Sequence, residues 1–249
     1  NGDLLRDSSV MWTRSNILLT AALALLGSST VWAGSYTIQP TRIELSPRRP
    51  SISVQITNVA EEATTIQAHL VAWTANGAEE LQIDSDALIL NPPIFTLAPH
   101  KTQFMRIGLR KQQFSAAEVT YRLILEELPP PPNPEFSGVR TLLRLSVPIF
   151  IAPPGLQPQT TWTAHRHEGK ITLRAVNLGK AHVQVRNISL RSAEGAEATH
   201  NQSFSTYLLP TGCKEWTFEE GQLSRAEQLI IDAQTDGKSI REKIQIQSR

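Results

Sequence analysis

A single cysteine, Cys213, is present among the 249 residues of the sequence. Structural zinc sites, iron–sulfur clusters and disulfide frameworks each need several cysteines, so none of them fits this chain. A surplus of either charge is also missing, because 24 Lys and Arg residues stand against 23 Asp and Glu residues and leave a formal charge of +1. This balance gives no basic patch for nucleic acid or for a membrane surface. We therefore expect neither a nucleic-acid partner nor stable insertion into a membrane.

Motifs that carry catalysis or bind cofactors are also missing. The sequence has no Gly-x-Ser-x-Gly elbow, phosphate loop, His-Glu-x-x-His pair or dinucleotide fingerprint. His165 and His167 would face one way on a strand, but no third metal ligand lies near them in the sequence. Asp84 and Asp86 suit a polar turn better than a calcium site, and Cys213 has no evident histidine partner. We expect no enzyme, no metal and no cofactor.

The N-terminal segment is typical of a secretory signal peptide. From Met11 a short basic region precedes an apolar run at residues 17–26, and small residues then lead to a cleavage site of the Val-x-Ala kind at Ala33. The run is too short to serve as a permanent anchor across a bilayer. Residues 1–10 precede the plausible start and are interpreted as an upstream extension. The sequence thus predicts that residues 1–33 are removed on export.

Beyond Ala33 the apolar residues alternate with polar ones at a period of two, which predicts strands. Seven such segments lie between residues 34 and 152, with turn signals every 8–12 residues or so, a spacing typical of an immunoglobulin-like sandwich. A short Ala-Pro-Pro-Gly linker ends at Gly155, and residues 156–249 again read as strands. The predicted fold is therefore all-β, with two tandem immunoglobulin-like β-sandwich domains, 34–152 and 156–249, after a cleaved signal peptide.

Several segments resemble the periplasmic pilus or fimbria-assembly chaperones of the chaperone–usher pathway. In the first domain they are Pro-Thr-Arg-Ile-Glu-Leu at 40–45, Tyr-Arg-Leu-Ile-Leu-Glu-Glu-Leu-Pro-Pro at 121–130 and Val-Pro-Ile-Phe-Ile-Ala-Pro at 147–153. In the second domain Asn-Leu-Gly-Lys-Ala-His-Val at 177–183 and the Leu-Pro loop at 209–216 continue the resemblance. The order and spacing of these segments, together with the leader, make the likeness specific.

The resemblance implies a molecular chaperone located in the periplasm. Such a protein would cap pilus subunits by donor-strand complementation and deliver them to an outer-membrane usher. The subunits are incomplete sandwiches, and the chaperone lends its own seventh strand to their open groove. The partners implied are therefore pilus or fimbrial subunits and the usher.

The seventh strand, at residues 139–151, would be the donor. Its odd-numbered apolar residues form one face, and the resemblance assigns them to the subunit groove: Val139, Leu143, Leu145, Val147 and Ile149. The strand is also apolar at some even positions, so periodicity leaves open the alternative that the odd face belongs to the chaperone's own core.

Basic residues in the cleft between the domains would anchor the carboxylate at the subunit's C-terminus. A first-strand arginine of the family falls on Arg42, but the slot of its lysine partner falls on Pro148, which suggests the archaic-type branch. There a sixth-strand arginine takes the anchoring role, and that slot falls on Arg122. An internal ion pair of Arg122 with Glu44 or Glu126 is the alternative. The candidate anchors are Arg122, Arg42 and Arg144.

Two other classes of protein fit the composition. A secreted structural or adhesive protein of two sandwiches, or a pilus subunit, would carry an N-terminal donor extension and often a disulfide, and this chain has one cysteine. A periplasmic enzyme or a carbohydrate-binding module would need either catalytic residues or an exposed aromatic platform, and aromatic residues make up only 6% of the chain.

Overall fold

The computed structural model describes residues 36–111, 115–132, 139–194 and 199–248. The proposed leader and residues 133–138 of the proline-rich loop lie outside the described residues. All described residues belong to one compact unit, residues 34–249. This unit contains two hydrophobic cores, one formed by residues before position 152 and the other by residues after position 161.

The first sandwich is built from two mainly antiparallel sheets. One sheet has the strand order β1-β3-β8-β6, and the other has the order β2-β10-β9-β4-β5 with β7 also paired to β4. The strands are β1 (Tyr36–Gln39), β2 (Ile43–Leu45), β3 (Ser51–Asn58), β4 (Thr64–Asn76), β5 (Glu79–Asp84), β6 (Leu88–Asn91), β7 (Ile94–Leu97), β8 (Thr102–Leu109), β9 (Val119–Leu128) and β10 (Arg144–Ile151).

Alternation of side chains along the strands produces the first core. Val54 of β3 lies opposite Met105 of β8, and both are fully buried, as are Ile56 and Ile107 further along the two strands. Side chains of the other sheet, such as Leu123, complete the same cluster. The period-two pattern predicted from the sequence is therefore confirmed as the pattern that fills the space between two sheets.

The second sandwich is a single path of seven strands, β14-β13-β16-β17-β11-β12-β15. The path is continuous because β17 pairs antiparallel with β16 and parallel with β11. Its strands are β11 (Thr160–His167), β12 (Lys170–Asn177), β13 (Val183–Ser192), β14 (Thr199–Leu208), β15 (Cys213–Glu219), β16 (Gln228–Thr235) and β17 (Ile240–Ser248). Side chains from both halves of the path meet in one core, which confirms an all-β fold with two sandwiches.

The strand predicted as the donor, β10, is shorter than the sequence predicts. It begins at Arg144 rather than at Val139, and residues 139–143 lie outside regular secondary structure. The ladder with β9 starts opposite Glu126, close to the end of β9 at Leu128, so there is little partner strand left to pair with the preceding residues.

Candidate functional site

The outer edge of β10 is open along five of its eight residues. β10 pairs with β9 along the whole strand, but on its other side it pairs with β2 only at residues 149–151. Residues 144–148 therefore have no partner strand on their outer side among the described residues. A free edge of this kind is a template for pairing with another chain.

The backbone groups that this edge presents follow from the ladder. The N–H of Glu127 donates to the C=O of Leu143 at 2.9 Å, so the odd-numbered residues of β10 bond to β9. The even-numbered residues then direct their backbone groups outwards. Arg144 and Ser146 offer both an N–H and a C=O, whereas Pro148 offers only a C=O. Because Pro148 falls at a position that does not bond to β9, it costs the sheet no hydrogen bond.

The side chains of the proposed donor face divide into two groups. Val147 and Ile149 are 4% and 0% exposed and belong to the core of the first sandwich, because the odd face of β10 looks towards the opposite sheet. The structure thus assigns these two residues to the core alternative rather than to an outward-facing row. Leu143 and Leu145 are only partly buried at the open end of the sandwich, and Val139 is 96% exposed. A donor role is a proposal for these three alone.

Arg122 lies on the opposite, even face of the same sheet, directly across from Pro148. Its guanidinium carbon is 3.7 Å from the centre of the Trp73 ring, and its Nη1 donates to the Ser146 hydroxyl at 3.1 Å. Its Nε is buried and has no hydrogen-bond partner. Arg122 makes no ion pair within the described part of the chain.

Arg122 is a cation without an adjacent anionic partner among the described residues. Burial lowers the pKa of Arg122, and the carboxylate of Glu80 opposes that shift only from a distance. The ion pairs that the sequence offered as an alternative do not form, since Glu44 binds Arg42 and Glu126 binds Arg144. An uncompensated, partly buried guanidinium of this kind favours binding of a carboxylate.

Arg42 already has anionic partners. Its guanidinium contacts Glu44 at 2.5 Å and Asp236 of the second sandwich at 2.7 Å, and it lies over the Phe150 ring at 5.6 Å. Burial alone would lower the pKa of Arg42, but the hydrogen bonds to Asp236 and Glu44 outweigh it and raise that pKa. In this structure Arg42 therefore links the two sandwiches through its ion pair with Asp236.

The structure brings two of the three candidate anchors to one level of the sheet. Arg42 directly precedes Ile43, which is opposite Ile149, so Arg42 and Arg122 flank Pro148 on neighbouring strands. Two strand spacings separate them, about 10 Å between backbones. Arg144 is four residues further along β10, or roughly 13 Å. It pairs with Glu126 at the exposed surface.

The pairings between the sandwiches are features that the sequence reasoning did not find. Nδ1 of His182 lies 2.8 Å from the carboxylate of Glu118, and the His182 ring stacks on Phe150 with ring centres 3.5 Å apart. These residues, with Arg42 and Asp236, line a cleft of about 810 Å³ between the sandwiches. The only local signal was the His-Val pair at 182–183, whose partners lie far away in the sequence.

A second link joins β5 to the second sandwich. The carboxylate of Glu80 accepts a hydrogen bond from Nε1 of Trp73 at 2.7 Å and forms an ion pair with Lys214 on β15. Burial by itself raises the pKa of Glu80, but the hydrogen bonds from Lys214 and Trp73 reverse the effect and lower it.

The remaining candidates from the sequence occupy no comparable site. Cys213 is buried, His167 lies 3.6 Å from the neighbouring Glu168, and Asp84 borders a shallow surface depression. No group of three or more metal-ligating side chains comes together within the described residues. No helix in the described part of the chain is long and apolar enough to cross a membrane.

Comparison with known proteins places this architecture in a class. Residues 35–157 match the family of pili and flagellar-assembly chaperones, PapD N-terminal domain. The match covers the first sandwich, including the open edge of β10 and the arginines beside Pro148. The first sandwich of this chain belongs to this family of pilus-assembly chaperones. No curated protein sequence matches it.

Solved structures share the complete two-sandwich fold. One is the CsuC–CsuE chaperone–tip adhesion subunit pre-assembly complex from archaic chaperone–usher Csu pili of Acinetobacter baumannii, with a TM-score of 0.64, 16% identity, and coverage of 86% of this chain and 99% of that chain. The E. coli chaperone DraB has a TM-score of 0.57 at 15% identity, with coverage of 86% and 98%. The Salmonella enterica SafA pilin in complex with the SafB chaperone has a TM-score of 0.57 at 13% identity, with coverage of 86% and 97%.

Proposed function

We propose that this chain is a periplasmic chaperone that caps pilus subunits by donor-strand complementation and delivers them to an outer-membrane usher. The observation that carries the proposal is the unpaired outer edge of β10 at residues 144–148. Strand addition to such an edge gains affinity from backbone hydrogen bonds and gains specificity from alternate side chains.

The side chains next to this edge suit an apolar groove. Leu145 and Leu143 are partly buried at the open end of the sandwich, and Val139 is almost fully exposed. A subunit strand added beside β10 would extend the same sheet. The inward-facing side chains of that subunit strand would then pack beyond Leu145 and enlarge the first core. Burial of each aliphatic side chain contributes about 1.5–3 kcal/mol before ordering costs are subtracted.

The second element of the proposal is the binding of the subunit's C-terminal carboxylate. This carboxylate binds the guanidinium of Arg122, which has no anionic partner among the described residues and lies level with Pro148. Arg42 joins this site when it exchanges Asp236 for the incoming carboxylate, because both are anionic partners for one cation. Export to the periplasm follows from the predicted leader, and the function requires neither catalysis nor a cofactor.

Co-expression with pilin-type subunits tests the proposal. A tagged chain exported to the periplasm should co-purify with such a subunit, and the subunit should be degraded or aggregated when the chain is omitted. Equal amounts of soluble subunit with and without the chain would contradict a chaperone function.

A further inference from the structure

The guanidinium of Arg122 lies over an aromatic ring. Its carbon lies 3.7 Å from the centre of the Trp73 ring, closer than the roughly 6 Å limit for a cation–π contact. Trp73 is 1% exposed, so the contact is largely removed from water. Ser146 holds the same guanidinium from the side by accepting a hydrogen bond from Nη1 at 3.1 Å.

These two contacts leave one edge of the guanidinium without a hydrogen-bond partner among the described residues. Nη1 is used by Ser146, and Nε is buried with no acceptor. Nε and Nη2 donate from the same edge of the planar group, which is the fork that binds a carboxylate through two parallel hydrogen bonds. The contacts with the ring beneath the guanidinium and with Ser146 restrict the positions that this fork can take.

The indole is itself fixed from several directions. Nε1 of Trp73 donates to Glu80 at 2.7 Å, and Glu80 pairs with Lys214 of the second sandwich. Tyr207, also from the second sandwich, meets the Trp73 ring edge-to-face with ring centres 5.9 Å apart. The second sandwich therefore helps to determine the orientation of the ring on which Arg122 rests.

We propose that Trp73 is a positioning residue for the subunit carboxylate: its ring orients the free fork of Arg122, and the Glu80–Lys214 ion pair locks the ring. The inference rests on the proposed function, since it concerns the same anchoring site. A free arginine side chain loses conformational entropy when it binds, and a guanidinium already held on Trp73 and Ser146 has less to lose.

The alternative is that Trp73 only fills space between the sandwiches. Its ring contacts Phe150 and Tyr207 in a small buried cluster, so some loss of stability is expected on substitution in either case. The two roles differ in what they do to recognition of charge. A space-filling residue affects all ligands of the site equally, whereas a positioning residue affects the carboxylate alone.

The test uses the C-terminal peptide of a pilin-type subunit that co-purifies with this chain, synthesised once as the free acid and once as the amide. The ratio of the two dissociation constants measures carboxylate recognition separately from strand addition. Trp73→Leu should reduce this ratio by about threefold to thirtyfold, the range of a partly to fully desolvated cation–π contact. Trp73→Phe, which keeps an aromatic face, should retain most of the ratio.

Variants of the Glu80–Lys214 ion pair keep the proposal testable if Trp73→Leu does not fold. The side chains of Glu80 and Lys214 are 25% and 28% exposed, so Glu80→Gln and Lys214→Met are expected to fold. Both should reduce the ratio by a smaller factor. Lys170→Met, which removes a lysine that lies 3.9 Å from Glu219 at the surface, is the matched control and should leave the ratio unchanged.

The outcomes separate this inference from the proposed function. If the wild-type chain binds acid and amide equally, there is no carboxylate anchor, and both proposals about Arg122 and Trp73 are overturned. If the wild type discriminates but the Trp73 and Glu80 variants keep the full ratio, the anchor stands and the positioning role is overturned.

Discussion

Glu118 and His182 join the two sandwiches through a buried carboxylate–imidazole contact. The two carboxylate oxygens lie 2.9 and 2.8 Å from Nδ1 of His182, and the His182 backbone N–H donates to the same group at 2.9 Å. The side chains of His182 and Glu118 are only 8% and 4% exposed. The contact therefore fixes the start of β9, which carries Arg122, relative to the second sandwich.

Loss of this carboxylate should destabilise the protein. Glu118→Ala leaves the Nδ1 and backbone N–H of His182 buried without an acceptor, which costs about 1–3 kcal/mol for a group of this kind. We expect a lower midpoint of urea unfolding. Glu61→Ala is the matched control, because Glu61 pairs with His100 at 3.1 Å where both side chains are exposed. Its effect should stay below about 1 kcal/mol. Equal effects of the two changes would contradict a structural role for Glu118.

The link between Arg42 and Asp236 should make stability depend on acid pH. Burial tends to raise the pKa of Asp236, but hydrogen bonds from Arg42 and from the Gln184 backbone lower it. Because this carboxyl has a lower pKa in the folded than in the unfolded protein, its contribution is complete above its ordinary pKa and is lost as the pH falls through the lowered value.

Thermal unfolding measured from pH 7 down to about pH 3 checks this expectation, since ordinary aspartate titrates near pH 3.9. Wild-type stability should decline below about pH 4 more steeply than that of Asp236→Asn, which has no proton to take up at this site. Asp86→Asn, on a turn away from the junction, serves as control and should follow the wild type. A wild-type decline that Asp236→Asn reproduces in full would assign it to other carboxyl groups.

Arg122 should be required for subunit capture and not for folding. Arg122→Ala removes a cation that has no carboxylate partner among the described residues, so the chain should still fold and be exported. Loss of one partner of a desolvated charge-assisted contact costs about 2–5 kcal/mol of binding free energy, enough to abolish co-purification of a subunit. Arg122→Lys should restore little, because an ammonium lacks the planar fork. An unfolded Arg122→Ala protein would instead indicate a structural role.

The sequence was sufficient for the fold class because alternation is a local property. The alternating residues Ile52, Val54 and Ile56 of β3 predict a strand without information from any distant residue. Arg122 was also recognisable, as a single cation inside an apolar strand, and the structure shows why such a residue is unusual: its guanidinium has no anionic partner within the described residues.

The faces of β10 could not be predicted in the same way. The strand is apolar on both faces, and the structure shows that two different cores account for this: Ile149 fills the first sandwich, whereas Phe150 packs against Trp73 and Leu209 at the junction. When both faces of a strand pack against other parts of the protein, apolar and polar residues do not alternate along it. The sequence then does not show which face belongs to which core. The pairing of His182 with Glu118 was likewise hidden, because it depends on how two separate sandwiches meet.

Substitutions at Val139 and Val147 distinguish residues of the proposed donor segment from residues of the core. Val139→Asp changes a side chain that is 96% exposed, so stability should change by no more than about 0.5 kcal/mol. If residues before β10 contact the subunit, the same change should weaken capture, because an unpaired carboxylate does not enter an apolar groove. Val147→Asp places a charge in the core and should prevent folding. Melting temperature and co-purification are measured on both variants. Unaltered capture by Val139→Asp would confine the donor segment to residues from Leu143 onwards.

The free edge of β10 can be tested through one backbone N–H. Arg144 directs its N–H to the outer edge, while its side chain pairs with Glu126 at the surface. Arg144→Pro removes that N–H without removing a bond to β9, and proline is tolerated on such an edge. The melting temperature should therefore remain close to that of Arg144→Ala, the matched control that loses the side chain but keeps the N–H.

Subunit capture should distinguish the two variants of Arg144. Strand addition uses the outward N–H, so Arg144→Pro should bind subunit less tightly than Arg144→Ala by about 0.5–1.5 kcal/mol, the net value of one hydrogen bond. Quantitative co-purification or titration with a purified subunit measures the difference. Two variants that are equally folded and equally competent in capture would show that the edge of β10 at Arg144 is not the line along which a subunit pairs. Equal loss in both would instead assign the effect to the guanidinium, and Arg144 would then act as an anchor beside Arg122.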